Sequence, residues 1–261
     1  MAKKRSSRPR VPRRRPEQPK SILAIDIGGT NLKILASGET EPRKAPSGPE
    51  LAPGEMVERV RKLADGWKYE LVSIGYPGLV GGSGPAAEPG NLGPGWVGFD
   101  FAAAFERPVR IANDAAMQAL GSYDGGRMLF LGLGTGLGSV LIVQRVVVGL
   151  ELGELKYRKA LLSEWLGREG LERDGKKKWR KHLMHVVPSL QRAFRADYVV
   201  LGGGNSKHVK EPLPPGVRLG HNHTAFRGGF RLWDIEDLRT MEVVDGHKEP
   251  ETRIAGDWRL F

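Results

Sequence analysis

Two glycine-rich turns and a few acids are the residues of this sequence best suited to chemistry. Asp26-Ile27-Gly28-Gly29-Thr30-Asn31 sets a carboxylate ahead of a turn whose glycines leave backbone N–H groups open to an anion, with the side chains of Thr30 and Asn31 as further donors. Gly134-Thr135-Gly136, inside the run Gly132 to Gly138, has the same character about a hundred residues later. Either turn alone reads as well as a tight hairpin. Together they read as a clamp that holds a phosphate chain from both sides and excludes water on closing. Asp26 is placed to hold Mg²⁺ through water beside such phosphates, and Lys33 is either a phosphate contact or a solvated strand residue. Asp114, with Asn113 beside it, follows the apolar run from Val109. A carboxylate there can take the proton of a hydroxyl that attacks phosphorus, worth typically 10²–10⁴ in rate. The same Asp reads equally as the cap of a helix beginning at Ala115. Glu151 and Glu154, in Gly149-Leu150-Glu151-Leu152-Gly153-Glu154, are paired acids able to accept from sugar hydroxyls, or an exposed acidic turn.

The elements around these residues follow from periodicity. Ile22 to Ile25 and Leu32 to Ala36 are apolar runs joined by the first turn, which predicts a hairpin. Met56, Val57, Val60, Leu63 and Ala64 fall at helical spacing, and Leu71 to Gly75 returns to strand. Pro77-Gly78 opens a loop, rich in Gly and Pro to Gly98, too long to be a mere connection and so a candidate for substrate contact. Val109 to Asn113 is a strand and Ala115 to Tyr123 a helix. The segment from Met128 to Val148 repeats strand, glycine turn and strand, as duplication of one lobe would produce. Trp179, Leu183, Val186, Val187, Leu190 and Phe194 mark one face of a helix that Pro188 should kink. Asp197 to Leu201 is a strand that ends in Gly202-Gly203-Gly204, and from Pro212 the pattern weakens. Strands alternating with helices imply α/β lobes with mixed sheets, whose ligands bind at the carboxyl ends of strands. The glycine clusters and Asp114 all sit at such ends.

Composition bounds the class. The 261 residues suffice for one large domain or two modest lobes. The absence of cysteine excludes disulfides and zinc sites built on thiolates, so no zinc is expected. No apolar run approaches the length needed to span a bilayer, and a cytoplasmic protein without membrane contact is expected. Residues 1 to 20 carry a net +8, leaving about +3 of the total +11 for the other 241 residues. This Arg- and Pro-rich arm reads as a disordered solubilising segment, as a holder of a polyanion such as nucleic acid or polyphosphate, or as an import signal, the last disfavoured by its prolines. The boundaries expected are 1–20 arm, 21–117 N-terminal lobe, 118–240 C-terminal lobe and 241–261 tail.

The ordered set of motifs resembles the repressor, open-reading-frame and kinase (ROK) family of sugar kinases, and within it the polyphosphate glucokinases. The pieces are Asp26 to Lys33, Gly75-Tyr76-Pro77-Gly78, Asn91-Leu92-Gly93-Pro94-Gly95-Trp96, Asn113-Asp114-Ala115, Gly132 to Gly138, Glu151-Leu152-Gly153 and Leu201 to Ser206. The resemblance implies a two-lobed actin/hexokinase-like (ribonuclease H-like) fold with an interlobe active-site cleft. It implies glucose or a related hexose as acceptor, and ATP or polyphosphate as donor with Mg²⁺. It assigns the base to Asp114, sugar contacts to Asn91, Asn113 and Glu151, phosphate contacts to the two glycine turns and a nucleotide contact to Gly202, Gly203 and Gly204. Two departures stand out: Glu154 occupies the position of a sugar-binding His, and the zinc-binding cysteines of many relatives are missing. The first motivates an alternative reading as a sugar-sensing protein with reduced turnover. A third reading, nucleic-acid binding through the arm, lacks a recognition module in the body. A homodimer is left open.

Overall fold

The computed structural model describes residues 20–210, 212–221 and 223–234, with the backbone of 259–260. The expectations of a disordered arm and a loose tail fall, apart from Lys20 and the pair 259–260, outside the described residues.

The first sheet contains β1 (Ile22–Ile27), β2 (Asn31–Ala36), β3 (Arg43–Pro46), β4 (Leu71–Tyr76) and, after a miniature hairpin of β5 (Val80–Gly81) and β6 (Gly84–Pro85), β7 (Val109–Asn113). Its order is β3-β2-β1-β4-β7. β2 runs antiparallel to both β1 and β3, while β1, β4 and β7 are parallel. Helix α1 (Pro53–Leu63) presents Met56, Val57 and Val60 to the core at helical spacing, with Pro at its start, where an N–H would go unpaired anyway. The short α2 (Phe101–Phe105) buries both of its phenylalanines and is capped by Asp100.

The second sheet is formed by β8 (Arg127–Leu133), β9 (Leu137–Val143), β10 (Val146–Leu150), β13 (Tyr198–Gly202) and β14 (Val217–Leu219). β11 (Lys156–Tyr157) and β12 (Ala160–Leu161) form a separate hairpin, and β15 (Arg259–Leu260) lies parallel to β10 at the sheet's edge. Without that edge the order is β14-β13-β8-β9-β10. β8 and β9 are antiparallel, as are β9 and β10, and β8, β13 and β14 are parallel. The second sheet therefore repeats the first strand for strand, and the duplication expected from the two turns extends to the whole sheet.

The last helix of each repeat crosses to the other sheet. α3 (Asp114–Ser122) packs Ala116, Met117 and Leu120 among Phe130, Val140 and Ile142 of the second sheet. α6 (Thr224–Arg231) packs Phe226 and Phe230 with Ala24 and Leu35 of the first. Ser73 of β4 donates to the Gly229 carbonyl (2.6 Å) and accepts from Trp233 Nε1 (2.9 Å). β14 and α6 lie where the sequence pattern weakens. The buried face of α6 is Ala225, Phe226, Gly228 and Gly229, so small residues hide its helical period.

Helices α4 (Leu162–Leu166) and α5 (Arg168–Ala193) cover the other face of the second sheet, with Trp179, Leu183 and Val187 buried. The interruption of α5 lies at Gly175 (φ 69°, ψ 161°), and Pro188 stands inside the helical segment that follows, where the backbone keeps helical angles. Gly175 occupies a region of positive φ that costs a residue with a Cβ but not glycine. No helix among the described residues is long and apolar enough to cross a membrane.

Candidate active site

Asp26 lies near the carboxyl end of β1, paired in register with Lys33 of β2 and with Gly75 of β4. Its side chain is 15 % exposed, and Lys33 Nζ, on a side chain 48 % exposed, stands 3.9 Å from Oδ2. Burial raises the Asp26 pKa above the ordinary carboxylate value, with Lys33 pulling the other way. Asp114 is the first residue of α3, at the mouth of β7, two strands from β1. Burial and then the charge of Asp26 push its pKa up to about 7, against the stabilising N–H of Ala115 at 2.7 Å. The two carboxylates thus feel one another.

Asn113 supplies the helix cap: its Oδ1 accepts from the N–H groups of Ala115 (3.0 Å) and Ala116 (3.2 Å), and Nδ2 donates to the Gly78 carbonyl (3.0 Å). The cap that the sequence left between roles of Asp114 is therefore centred one residue earlier, and a second Nδ2 hydrogen remains for a ligand.

The first glycine turn is held by Gly28 N–H to the Asn31 carbonyl (3.0 Å) and by Ser47, whose hydroxyl donates to the Gly28 carbonyl (2.6 Å). A Cβ on Gly29 would lie 2.5 Å from Asn91 Nδ2, so the turn and Asn91 are in contact. The loop carrying Asn91 is fixed from several sides. Glu88 accepts from the N–H groups of Trp96 (3.1 Å) and Val97 (3.2 Å), which lowers its pKa. Buried Trp96 donates to the Gly93 carbonyl (2.7 Å), and Tyr76 donates to that of Ala87 (2.8 Å). Glu88 is a positioning residue that sequence reasoning missed. Its one available signal is an acid alone in a loop of Gly, Pro and Ala.

The second turn rests on different neighbours. Gly134 N–H bonds the Gly136 carbonyl (3.2 Å), Arg168 N–H bonds that of Thr135 (3.1 Å), and Asn205 Nδ2 bonds that of Gly134 (2.8 Å). Gly203, at φ 78°, lies so close that a Cβ would sit 2.6–2.8 Å from Leu133 backbone atoms. Gly202 to Gly204 and the second turn therefore form one surface. Glu151 and Glu154 are exposed in the 3-10 turn Leu152–Glu154 and its flank, fastened to β9 by Ser139, which donates to the Leu150 carbonyl (2.7 Å) and accepts from Leu152 N–H (3.0 Å). Asp26, the first glycine turn with Lys33, Asn91, Asn113 and Asp114 belong to the first sheet and its loops, while Gly134 to Gly136, Glu151, Glu154 and Gly202 to Gly204 belong to the second. The two groups adjoin at Gly138, where a Cβ would lie 2.9 Å from that of Ala115.

Register shows how the repeats have diverged. Gly132 pairs with Gly138 and Gly202 as Asp26 pairs with Lys33 and Gly75. The first repeat thus keeps the charged pair where the second keeps glycines that leave room against the backbone. For Mg²⁺ the donor set fits: a cation satisfied by one or two carboxylates and phosphate oxygens suits two neighbouring acids whose charges are only partly compensated by Lys33.

Among curated proteins, polyphosphate glucokinase of Mycobacterium tuberculosis is 24 % identical over 215 residues, 74 % of this chain and 80 % of that one. Among solved structures, the inorganic polyphosphate/ATP-glucomannokinase of Arthrobacter sp. strain KM superposes with a TM-score of 0.68 at 23 % identity, covering 81 % of this chain and 97 % of that one. A ROK family glucokinase from Streptomyces griseus, in complex with glucose and AMPPNP, gives 0.64 at 15 % identity over 81 % of this chain and 98 % of that one. These likenesses show the two-lobed actin/hexokinase-like fold. The ROK family profile matches residues 22–155, just over half of the sequence, and with the duplicated sheets and their paired turns it establishes that the chain belongs to the ROK family.

Proposed function

We propose that this protein is a hexose kinase that transfers the terminal phosphoryl group of polyphosphate or ATP to a hydroxyl of glucose or a related sugar, in a cleft between lobes 21–117 and 118–240. The observation that carries this reading is the juxtaposition of Asp114, with a pKa near 7, and Asp26 beside a glycine turn that touches Asn91. In its ionised form Asp114 accepts the proton of the attacking hydroxyl. The sugar oxygen forms a bond to the terminal phosphorus as the bond from phosphorus to its bridging oxygen breaks, and that oxygen leaves with the shortened donor. Asn91, Asn113, Glu151 and Glu154 orient the sugar. Gly28, Gly29, Thr30, Asn31 and Lys33, with Gly134, Thr135 and Gly136, hold the phosphates, and Gly202, Gly203 and Gly204 face a nucleotide when ATP is the donor. Asp26 would hold Mg²⁺, which supplies charge neutralisation at the transferring phosphate.

A coupled assay of a sugar panel against ATP and polyphosphate tests this reading. Turnover of at least one hexose is expected with at least one donor. Glu154 in place of the family's His motivates the alternative of a sugar-sensing protein, which saturable sugar binding without turnover on either donor would favour.

A further inference from the structure

The body of the chain is only mildly basic, but its charge is unevenly placed. Between residues 168 and 181 there are seven Lys or Arg against three acids. Arg173 is neutralised locally by Asp174 (3.0 Å) and Glu169 (3.6 Å). Lys176 and Lys177 lie just past the break at Gly175, exposed. On the other side, the 3-10 turn Gly204–His208 leaves the end of β13 and carries exposed Lys207 and half-buried His208. This turn begins at the glycine site itself, because Asn205 donates to the Gly134 carbonyl (2.8 Å). Arg168, also exposed, is tied to the same turn through its N–H to Thr135. His208 lies within the field of both Lys176 and Lys207, and these cations, after burial, hold its pKa below the ordinary value; no carboxylate acts on it. Cations gathered at the rim of a phosphate-type turn repel one another, and an anion that shares the surface relieves that repulsion.

We propose that Arg168, Lys176, Lys207 and His208 form an exit track for a chain-like inorganic phosphate donor, which runs from Gly134-Thr135-Gly136 out over the junction of α5 and the Gly204–His208 turn. The inference rests on the kinase reading and assigns donor-length preference to this track. A nucleoside triphosphate ends inside the glycine surface and gains little from it. A long polyphosphate continues onto it, and each further phosphate meets a cation.

The test uses the full chain. Lys176→Glu/Lys207→Glu is compared with wild type and with Lys62→Glu/Lys68→Glu, an equal charge change on exposed lysines of the first lobe. Direct binding of long-chain and of tripolyphosphate is measured at low and moderate salt, alongside sugar phosphorylation with polyphosphate and ATP. The track variant should lose at least about fivefold in long-chain affinity at low salt, with a shallower salt dependence, while tripolyphosphate binding and ATP kinetics stay within twofold and the control matches wild type. Unchanged long-chain affinity in the track variant would overturn the proposal, as would an equal loss in the control, or single-stranded RNA of equal charge competing as well as polyphosphate. Long-chain binding that depends on the track in a protein without turnover on any donor would instead refute the kinase reading and leave the track standing.

Discussion

Asp114 carries opposing demands on function and stability. Its pKa, raised to about 7 by burial and by Asp26, means that the folded state holds a proton which the unfolded chain, with an Asp near its ordinary value, releases above about pH 4. Stability from this group is therefore complete below pH 4 and is lost as the pH rises towards 7, by at most about 4 kcal/mol. Asp114→Asn keeps the shape without the charge. We expect turnover lower by about 10²–10⁴ with sugar affinity nearly unchanged, and, in metal-free buffer, a melting temperature above wild type at pH 7.5 by a margin that shrinks towards pH 4. Near wild-type turnover would exclude Asp114 as the base, and a margin independent of pH would exclude its raised pKa. Under the proposed function, Glu154 stands where the resemblance puts the family's sugar-binding His, and a carboxylate that only accepts would replace a ring that donates and accepts. Glu154→His should shift preference between sugars differing at one hydroxyl by about 1–3 kcal/mol. An unchanged ranking would place Glu154 away from the sugar. The places of Asp26 and Asp114 in the fold were legible because one interrupts an apolar strand near its carboxyl end and the other directly follows a strand. Glu88 was not, since it acts on main-chain N–H groups that only the folded loop brings to it.

At the scale of elements, the two glycine surfaces look alike in sequence but differ in what surrounds them. At Gly29 a Cβ meets the end of the Asn91 side chain, which can swing away. At Gly203 it meets the Leu133 backbone, and φ is 78°. Gly29→Ala should therefore cost less than about 1 kcal/mol of stability but displace Asn91, raising the sugar KM several-fold. Gly203→Ala should cost about 2 kcal/mol or more, from strain and from overpacking. Urea unfolding and sugar titration on the same preparations separate the two, and equal stability losses would contradict the difference in surroundings. The strands around both turns were legible as apolar runs. β14 and α6 were not, because α6 reaches the core through alanine and glycine and owes its burial to close backbone approach rather than to a periodic apolar stripe.

For the whole molecule, the repeat of one sheet explains why its two turns share a pattern, and the exchange of final helices explains how the halves are joined. α3 belongs by sequence to the first repeat but packs on the second sheet, and α6 does the reverse. They cross at Gly121 and Gly228. A Cβ on Gly121 would overlap the carbonyl oxygen of Thr224, and one on Gly228 that of Met117. Each glycine thus meets the carbonyl one turn earlier in the other helix, and both obstacles are backbone, which cannot rotate aside. Alanine at either position must push α3 from α6, and the displacement is shared by both sheets because each helix is anchored on one of them. We expect Gly121→Ala and Gly228→Ala each to lose about 3 kcal/mol or more in urea unfolding. The double variant should lose clearly less than the sum of the two, since a crossing already opened accommodates the second methyl. Losses that simply add would mean that the two glycines relieve separate contacts, and a loss below about 1 kcal/mol at either would mean that the helices are not held together at this crossing.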